Sequence, residues 1–218
     1  VPGQVSIGAR SIWSEAIPVP PIKLVERGTL RRDLEDEFLT RTRTRVQNAV
    51  DLKAMIGANN TIKNRIVELI RRYGRETITE ALDRIIAVSE AKLRAILQEI
   101  PDGRWTCTTY LDYYDDQRMK IYACRLALTK EGNGLLFDFT GSSKQAPAVV
   151  NATYAATEGY LLRAMLGLFG FAVSHCPAAI QRVIRIKAEL GTIVHCAWPA
   201  GVCKGTTSVT QGVWQAAT

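Results

Sequence analysis

Soft thiolates beside imidazoles suit zinc, and this 218-residue chain holds two His-Cys dipeptides, His175-Cys176 and His195-Cys196, with Cys203 close behind. The spacing matches no Cys-x2-Cys or His-x3-His pattern. Adjacent side chains on a strand point to opposite faces, so His195 and Cys196 could not both ligate easily. Buried thiols and hydrogen-bonded histidines are the plainer reading. A second candidate is "DFTGSSKQAPAVVN" from Asp138 to Asn151, where an apolar strand runs into small polar residues and a lysine. A phosphate loop needs Gly-x4-Gly-Lys-Ser/Thr, and the second glycine is missing here. Ser142 or Ser143 as a nucleophile would need a nearby base, and none is visible. A polar strand-to-helix turn explains the stretch as well. Third, "KGTTSVTQ" from Lys204 to Gln211 offers hydroxyls at an expected helix start near Thr207, where they can cap the helix or face an anion or carbonyl. Last, Asp115 and Asp116 sit in an expected hairpin loop. Paired acids do acid/base work only when burial or a neighbour splits their pKa values, and nothing here suggests it.

The elements that must position these groups follow from periodicity. Residues 1–27 carry four prolines, which restrict the backbone to an extended arm. A short charged helix is expected from Thr29 to Leu39. Apolar residues then recur at helical spacing from Val46 to Tyr73, with a kink or break expected at "GANN" (57–60), and again from Ile78 to Ile100. The second helix is expected to begin near Thr77, with Glu80 completing a capping box. Two such helices joined at Gly74 should pack as an antiparallel hairpin. After Pro101-Asp102-Gly103 the period becomes two, and the "EGNG" turn at 131–134 predicts an antiparallel meander ending at Leu135–Phe139. An apolar helix over 152–168 and strands at 182–187 and 192–196 complete an α+β chain. Its regions are an arm (1–27), a helical region with the long hairpin (28–100) and an α+β region (101–218) that reads as incomplete at the C-terminus.

Hydrophobic residues make up 47% of the chain and charged residues 22%, enough apolar content for a core. The longest apolar run is broken by Arg163, so no membrane span is expected. Five irregularly spaced cysteines with no leader favour reduced thiols and a cytoplasmic protein. The formal charge of +7 and the "RTRTR" run (41–45) raise nucleic acid as a partner. Aromatic residues are not interleaved with the basic runs, so base-stacking platforms are not evident and no nucleic-acid partner is expected. Val1-Pro2-Gly3 opens without a methionine and Thr218 falls inside an expected helix, so the chain reads as a fragment.

Taken in order, "AIPVPPIKLVERG", "DLKAMIGANNTIKNRIVELIRRYG", "IPDGRW", "FDFTGSSKQAPAVVN" and "GTIVHCAWPAGVCKGTTS" resemble the B-type subunit of the hydantoinase/5-oxoprolinase family, which is related to catalytic subunits of acetone and acetophenone carboxylases. The resemblance implies an A-type, ATP-binding partner subunit in a hetero-oligomer, with ATP and Mg on that partner. It implies a phosphorylated amide or enolate that is then hydrolysed or carboxylated, and a divalent metal (Zn, Mn or Fe) bound outside this segment. The reading it favours is part of an ATP-dependent amidohydrolase opening a cyclic amide such as a hydantoin, 5-oxoproline or a lactam. A ketone carboxylase subunit is the alternative, and a non-catalytic assembly module is a second. The chain departs from the family at "VSHCPAAIQRV" and "GVCKGTTS", which bear on the substrate. No residue is assigned a catalytic role. Asp138, Asn151, Thr206 and Thr207 are expected to line a substrate pocket, with Asn151 and the threonines as donors and Asp138 orienting the loop.

Overall fold

The computed structural model describes residues 8–15, 19–115, 118–174 and 176–218. Pro2, Pro18, Asp116 and His175 lie outside them, so the readings placed on those residues have no structural counterpart. The described residues form two compact units, one of 19–82 and one of 8–15 with 83–218.

In the first unit, β1 (Val25–Glu26) and β2 (Thr29–Leu30) pair antiparallel. Arg27 and Gly28 between them both have positive φ, 49° and 83°, the two-residue turn whose twist matches a hairpin. The expected extended arm contains a short helix, α1 (Ile12–Glu15), and ends in a hairpin, and the charged helix begins later than Thr29, as α2 (Arg32–Thr40). Ion pairs from Arg32 to Glu35 and from Arg45 to Asp36 tie this region together, and Arg41 pairs with Glu37. Part of the basic "RTRTR" run is thus already neutralised. Helix α3 (Arg45–Tyr73) runs unbroken through "GANN", so the break expected as one alternative there does not occur. Gly57 and its neighbours are solvent-facing there, so they weaken propensity without meeting any packing demand that would end the helix. Helix α4 (Arg75–Glu99) starts immediately after Gly74, so Thr77 lies inside the helix and is not an N-cap.

The second unit is built on one mixed sheet. Strands β3 (Gly103–Asp115), β4 (Arg118–Glu131) and β5 (Gly134–Asp138) form the expected antiparallel meander. Strand β6 (Ile184–Lys187) then adds parallel to β5. The second expected strand, 192–196, is instead a tight turn: the His195 N–H donates to the Thr192 carbonyl at 3.2 Å, and only isolated bridges remain. That removes the strand geometry invoked above to separate His195 from Cys196. Helix α5 (Tyr154–Phe169) is capped by Thr153, whose hydroxyl accepts from the Ala156 N–H. Asn151 therefore precedes the cap and is not itself at the helix start. "CPAAIQ" contains a short helix unseen in the sequence, α6 (Pro177–Gln181), with proline at its first position. A 3-10 turn at Gly205–Thr207 leads into α7 (Val209–Ala217).

Period-two burial places Tyr122, Cys124, Leu126 and Leu128 of β4 on the covered face of the sheet. There they join Phe137, Leu161 and Met165, with Val213 of α7 and Leu93 and Leu97 of α4, in a single core. The opposite face of the β3–β4 pair leaves Tyr110, Tyr114, Met119 and Ile121 exposed. No helix among the described residues is long and apolar enough to cross a membrane.

Candidate functional site

The stretch 138–151 is a sheet-edge device. Strand β4 is longer than β5, and beyond Ala127 its outer edge has no strand partner. Ser142 and Ser143 supply one: their hydroxyls accept from the Arg125 N–H at 3.0 Å and the Ala123 N–H at 2.8 Å. The Ser143 N–H donates to the Ala123 carbonyl at 2.9 Å. Both serines are thus spent on backbone groups that would otherwise go unpaired. Asp138 accepts from the Thr140 N–H at 2.8 Å and pairs with Lys187 at 3.0 Å. Burial pushes its carboxyl up, but Thr140 and the Lys187 ammonium outweigh that and hold it below the usual carboxylate range.

Asn151 is fully buried and its amide makes four hydrogen bonds. Its Oδ1 accepts from the Ala146 N–H at 2.7 Å. Its Nδ2 donates to the carbonyls of Ala146, Ala148 and Gly201, at 2.9, 2.8 and 3.0 Å. It pins the end of the Pro147 loop to residue 201, fifty positions on. Gly205 passes so close that a Cβ there would fall on the Asn151 carbonyl oxygen.

This close threading delivers residues 205–212 to a cleft of about 120 Å³. Thr109, Leu111 and Cys124 form its sheet side, and Thr207, Gln211 and Gly212 its helix side. Gly212 lets α7 approach the sheet, since a Cβ there would lie 2.7 Å from Thr109 Oγ1. That hydroxyl is buried with no hydrogen-bond partner among the described residues, a group that a ligand or water could satisfy. Burial pushes the Cys124 thiol up to about 12; the Thr109 hydroxyl partly offsets this without meeting hydrogen-bond geometry. Of the four residues expected at a pocket, Thr207 lines the cleft and Thr206 adjoins it, both exposed, with the Thr206 carbonyl accepting from the Tyr160 hydroxyl. Asp138 and Asn151 do not line it. Thr109 and Cys124 read in the sequence only as strand residues, because nothing in an alternating pattern marks which inward positions border a void.

The described thiols and the His195 imidazole form no metal cluster. No disulfide joins the cysteines of the described residues. Burial, and further the Glu15 carboxylate, push the Cys196 thiol up from its ordinary range. His195 Nδ1 lies 2.9 Å from the Ala188 carbonyl, and its ring meets Tyr154 edge-on. Among the described residues no three His, Cys, Asp or Glu side chains converge. Nor does the Ser142-Ser143 turn fit a nucleotide phosphate, its hydroxyls being engaged on β4.

A family model described as Hydantoinase B/oxoprolinase matches residues 1–218. The chain is 29% identical over 152 residues to the acetophenone carboxylase delta subunit of Aromatoleum aromaticum, covering 69% of this chain and 22% of that protein. It is 27% identical over 238 residues to 5-oxoprolinase 1 of Arabidopsis thaliana, covering 97% of this chain and 18% of the relative. Its fold matches the crystal structure of ATP-dependent caprolactamase from Pseudomonas jessenii, with a TM-score of 0.81 at 24% identity. That match covers 100% of this chain and 38% of the other. The chain thus spans between about a fifth and two fifths of these proteins' lengths.

Proposed function

The chain belongs to the hydantoinase B/oxoprolinase family, and on that premise we propose that it is part of the B-type subunit of an ATP-dependent amidohydrolase that opens a cyclic amide. The observation that carries this reading is the family match along all 218 residues. An amide is a poor electrophile with a poor leaving group. Phosphorylating its oxygen makes the ring carbon electrophilic, so water adds there. The ring C–N bond breaks as the nitrogen takes a proton, and hydrolysis of the resulting acyl phosphate releases phosphate and the opened acid. In this reading the ATP and Mg sit on an A-type partner subunit of a cytoplasmic hetero-oligomer, and a divalent metal is held outside this segment. The chain's own residues shape the pocket. Thr206 and Thr207 present hydroxyl and backbone groups beside the cleft, while Asp138 and Asn151 fix the loops behind them. A donor held in place beforehand binds the substrate without the cost of ordering it.

A ketone carboxylase subunit is the second reading, favoured by the likeness to the acetophenone carboxylase delta subunit. The two activities part on bicarbonate. The complete complex is expected to consume ATP with a hydantoin or lactam in bicarbonate-free buffer and to release the opened acid. Turnover of ATP only with a ketone and bicarbonate would replace the first reading with the second. Thr207→Val should raise KM up to about tenfold through loss of one hydroxyl contact. An unchanged KM would remove Thr207 from the pocket.

A further inference from the structure

The strap of residues 199–205 leads directly into the helix side of the cleft, and it is gripped from two directions. From one, Asn151 Nδ2 donates to the Gly201 carbonyl at 3.0 Å, and the Lys204 N–H donates to the Val149 carbonyl at 2.9 Å. From the other comes a segment far away in sequence, Ser11 with the short helix α1 (Ile12–Glu15). The Ile12 N–H donates to the Pro199 carbonyl at 2.9 Å, and Ser11 bridges Ala200. Trp13 meets Trp198 edge-to-face with ring centroids 5.3 Å apart. The Val202 N–H donates to Glu15 Oε2. There is no slack between the two grips: a Cβ on Gly201 would lie 2.9 Å from Glu15 Oε2 and 3.1 Å from the Ala148 carbonyl oxygen.

We infer that Glu15 is a positioning residue for the cleft: through the Val202 amide its carboxylate fixes the strap, and through the strap it sets where Thr206 and Thr207 stand. The bonds from Ile12 and Ser11 join backbone to backbone and could form with many side chains. The Glu15 contact depends on side-chain identity, and an ionised acceptor makes it about twice as strong as a neutral one. A loosened strap would leave the fold intact, because the core of the second unit contains neither α1 nor residues 199–205. It would instead blur the pocket wall.

The consequence for catalysis rests on the proposed amidohydrolase reading, whereas the grip itself can be measured without it. In the intact protein, amide hydrogen exchange is followed for wild type, Glu15→Gln and Glu15→Ala. Loss of a hydrogen bond to a charged acceptor should speed exchange at Val202 by about 10–100-fold in the alanine variant. The glutamine variant, which keeps an acceptor oxygen at the same reach, should fall between, while β4 and α5 amides stay unchanged. In the complete complex KM should follow the same order, with kcat held within about twofold. Unchanged exchange at Val202, acceleration spread over the whole fold, or glutamine no better than alanine would overturn the inference. If the alanine variant does not fold, glutamine against wild type decides, and equal exchange at Val202 counts against it. A wild-type complex without ring-opening activity that still shows the graded exchange ends the amidohydrolase reading alone. Normal turnover without the gradation ends the positioning role alone.

Discussion

Helices α3 and α5 both carry apolar residues at helical spacing, yet they have opposite environments. In α3, 29 residues long, only Asn48 and Leu52 are buried, while Met55, Ile62, Ile66, Leu69 and Tyr73 are exposed. In α5, 16 residues long, Thr157, Leu161, Ala164 and Met165 are buried, the last three within the core of the second unit. The Thr157 hydroxyl even finds a buried partner, donating to the Val194 carbonyl at 2.6 Å. The difference teaches that a 3.6-residue period reports which face of a helix is apolar, and says nothing of whether this stretch of chain supplies the cover.

The sharpest way to break that comparison is to truncate both stripes. Leu161→Ala should destabilise the second unit by about 3 kcal/mol, since a fully buried leucine leaves a cavity. Ile62→Ala, at a site 58% exposed, should change stability by less than about 0.5 kcal/mol. Equal losses in chemical denaturation would show that the α3 stripe is covered after all. Next in size, Asn151→Ala removes four hydrogen bonds and orphans buried partners, so a loss of about 2–4 kcal/mol is expected in the same measurement. A loss under about 1 kcal/mol would mean that water readily replaces the amide.

Gly212→Ala probes how tightly α7 lies on the sheet. It should cost about 1–3 kcal/mol by overpacking against Thr109 Oγ1, and Thr109→Ala, which removes that oxygen, should recover part of that in the double variant. No recovery would place the strain elsewhere. The smallest effect concerns pH. The folded Asp138 carboxyl sits below its ordinary range, so its contribution to stability is present above the ordinary carboxylate pKa. That contribution is lost as pH falls through the depressed folded value. Wild type should therefore exceed Asp138→Asn in thermal midpoint near neutrality, and the gap should close in acid. A gap that persists in acid would show that the asparagine disturbs packing and not the ion pair.

Much of the fold was legible because its signals are local. Alternation on both sides of "EGNG" defined the β3–β4–β5 meander, and helical periodicity with a stop at "PDG" defined α4. The break expected at "GANN" failed because poor propensity is a weak cost when no packing partner exploits it. The misread strand at 192–196 failed for the opposite reason: its apolar residues Ile193 and Val194 are buried from within a turn, which alternation cannot distinguish from a strand. At the site, the polarity of "TGSSK" was plain, but its use was not. Ser142 and Ser143 complete the edge of a strand some twenty residues earlier, a pairing no window of sequence displays.

By itself, then, the sequence determined the α+β class, the meander and, through the order of its motifs, the family. Each depends on neighbours along the chain or on ordered landmarks. Tertiary structure alone decided the roles. It turned Asn151 from an expected pocket donor into a four-bond pin, and made Gly205 and Gly212 sites of close approach. It brought Glu15 to Val202 across 187 positions. Those outcomes depend on which groups meet at distances of a few ångströms, and such meetings are fixed by packing, not by order in the chain.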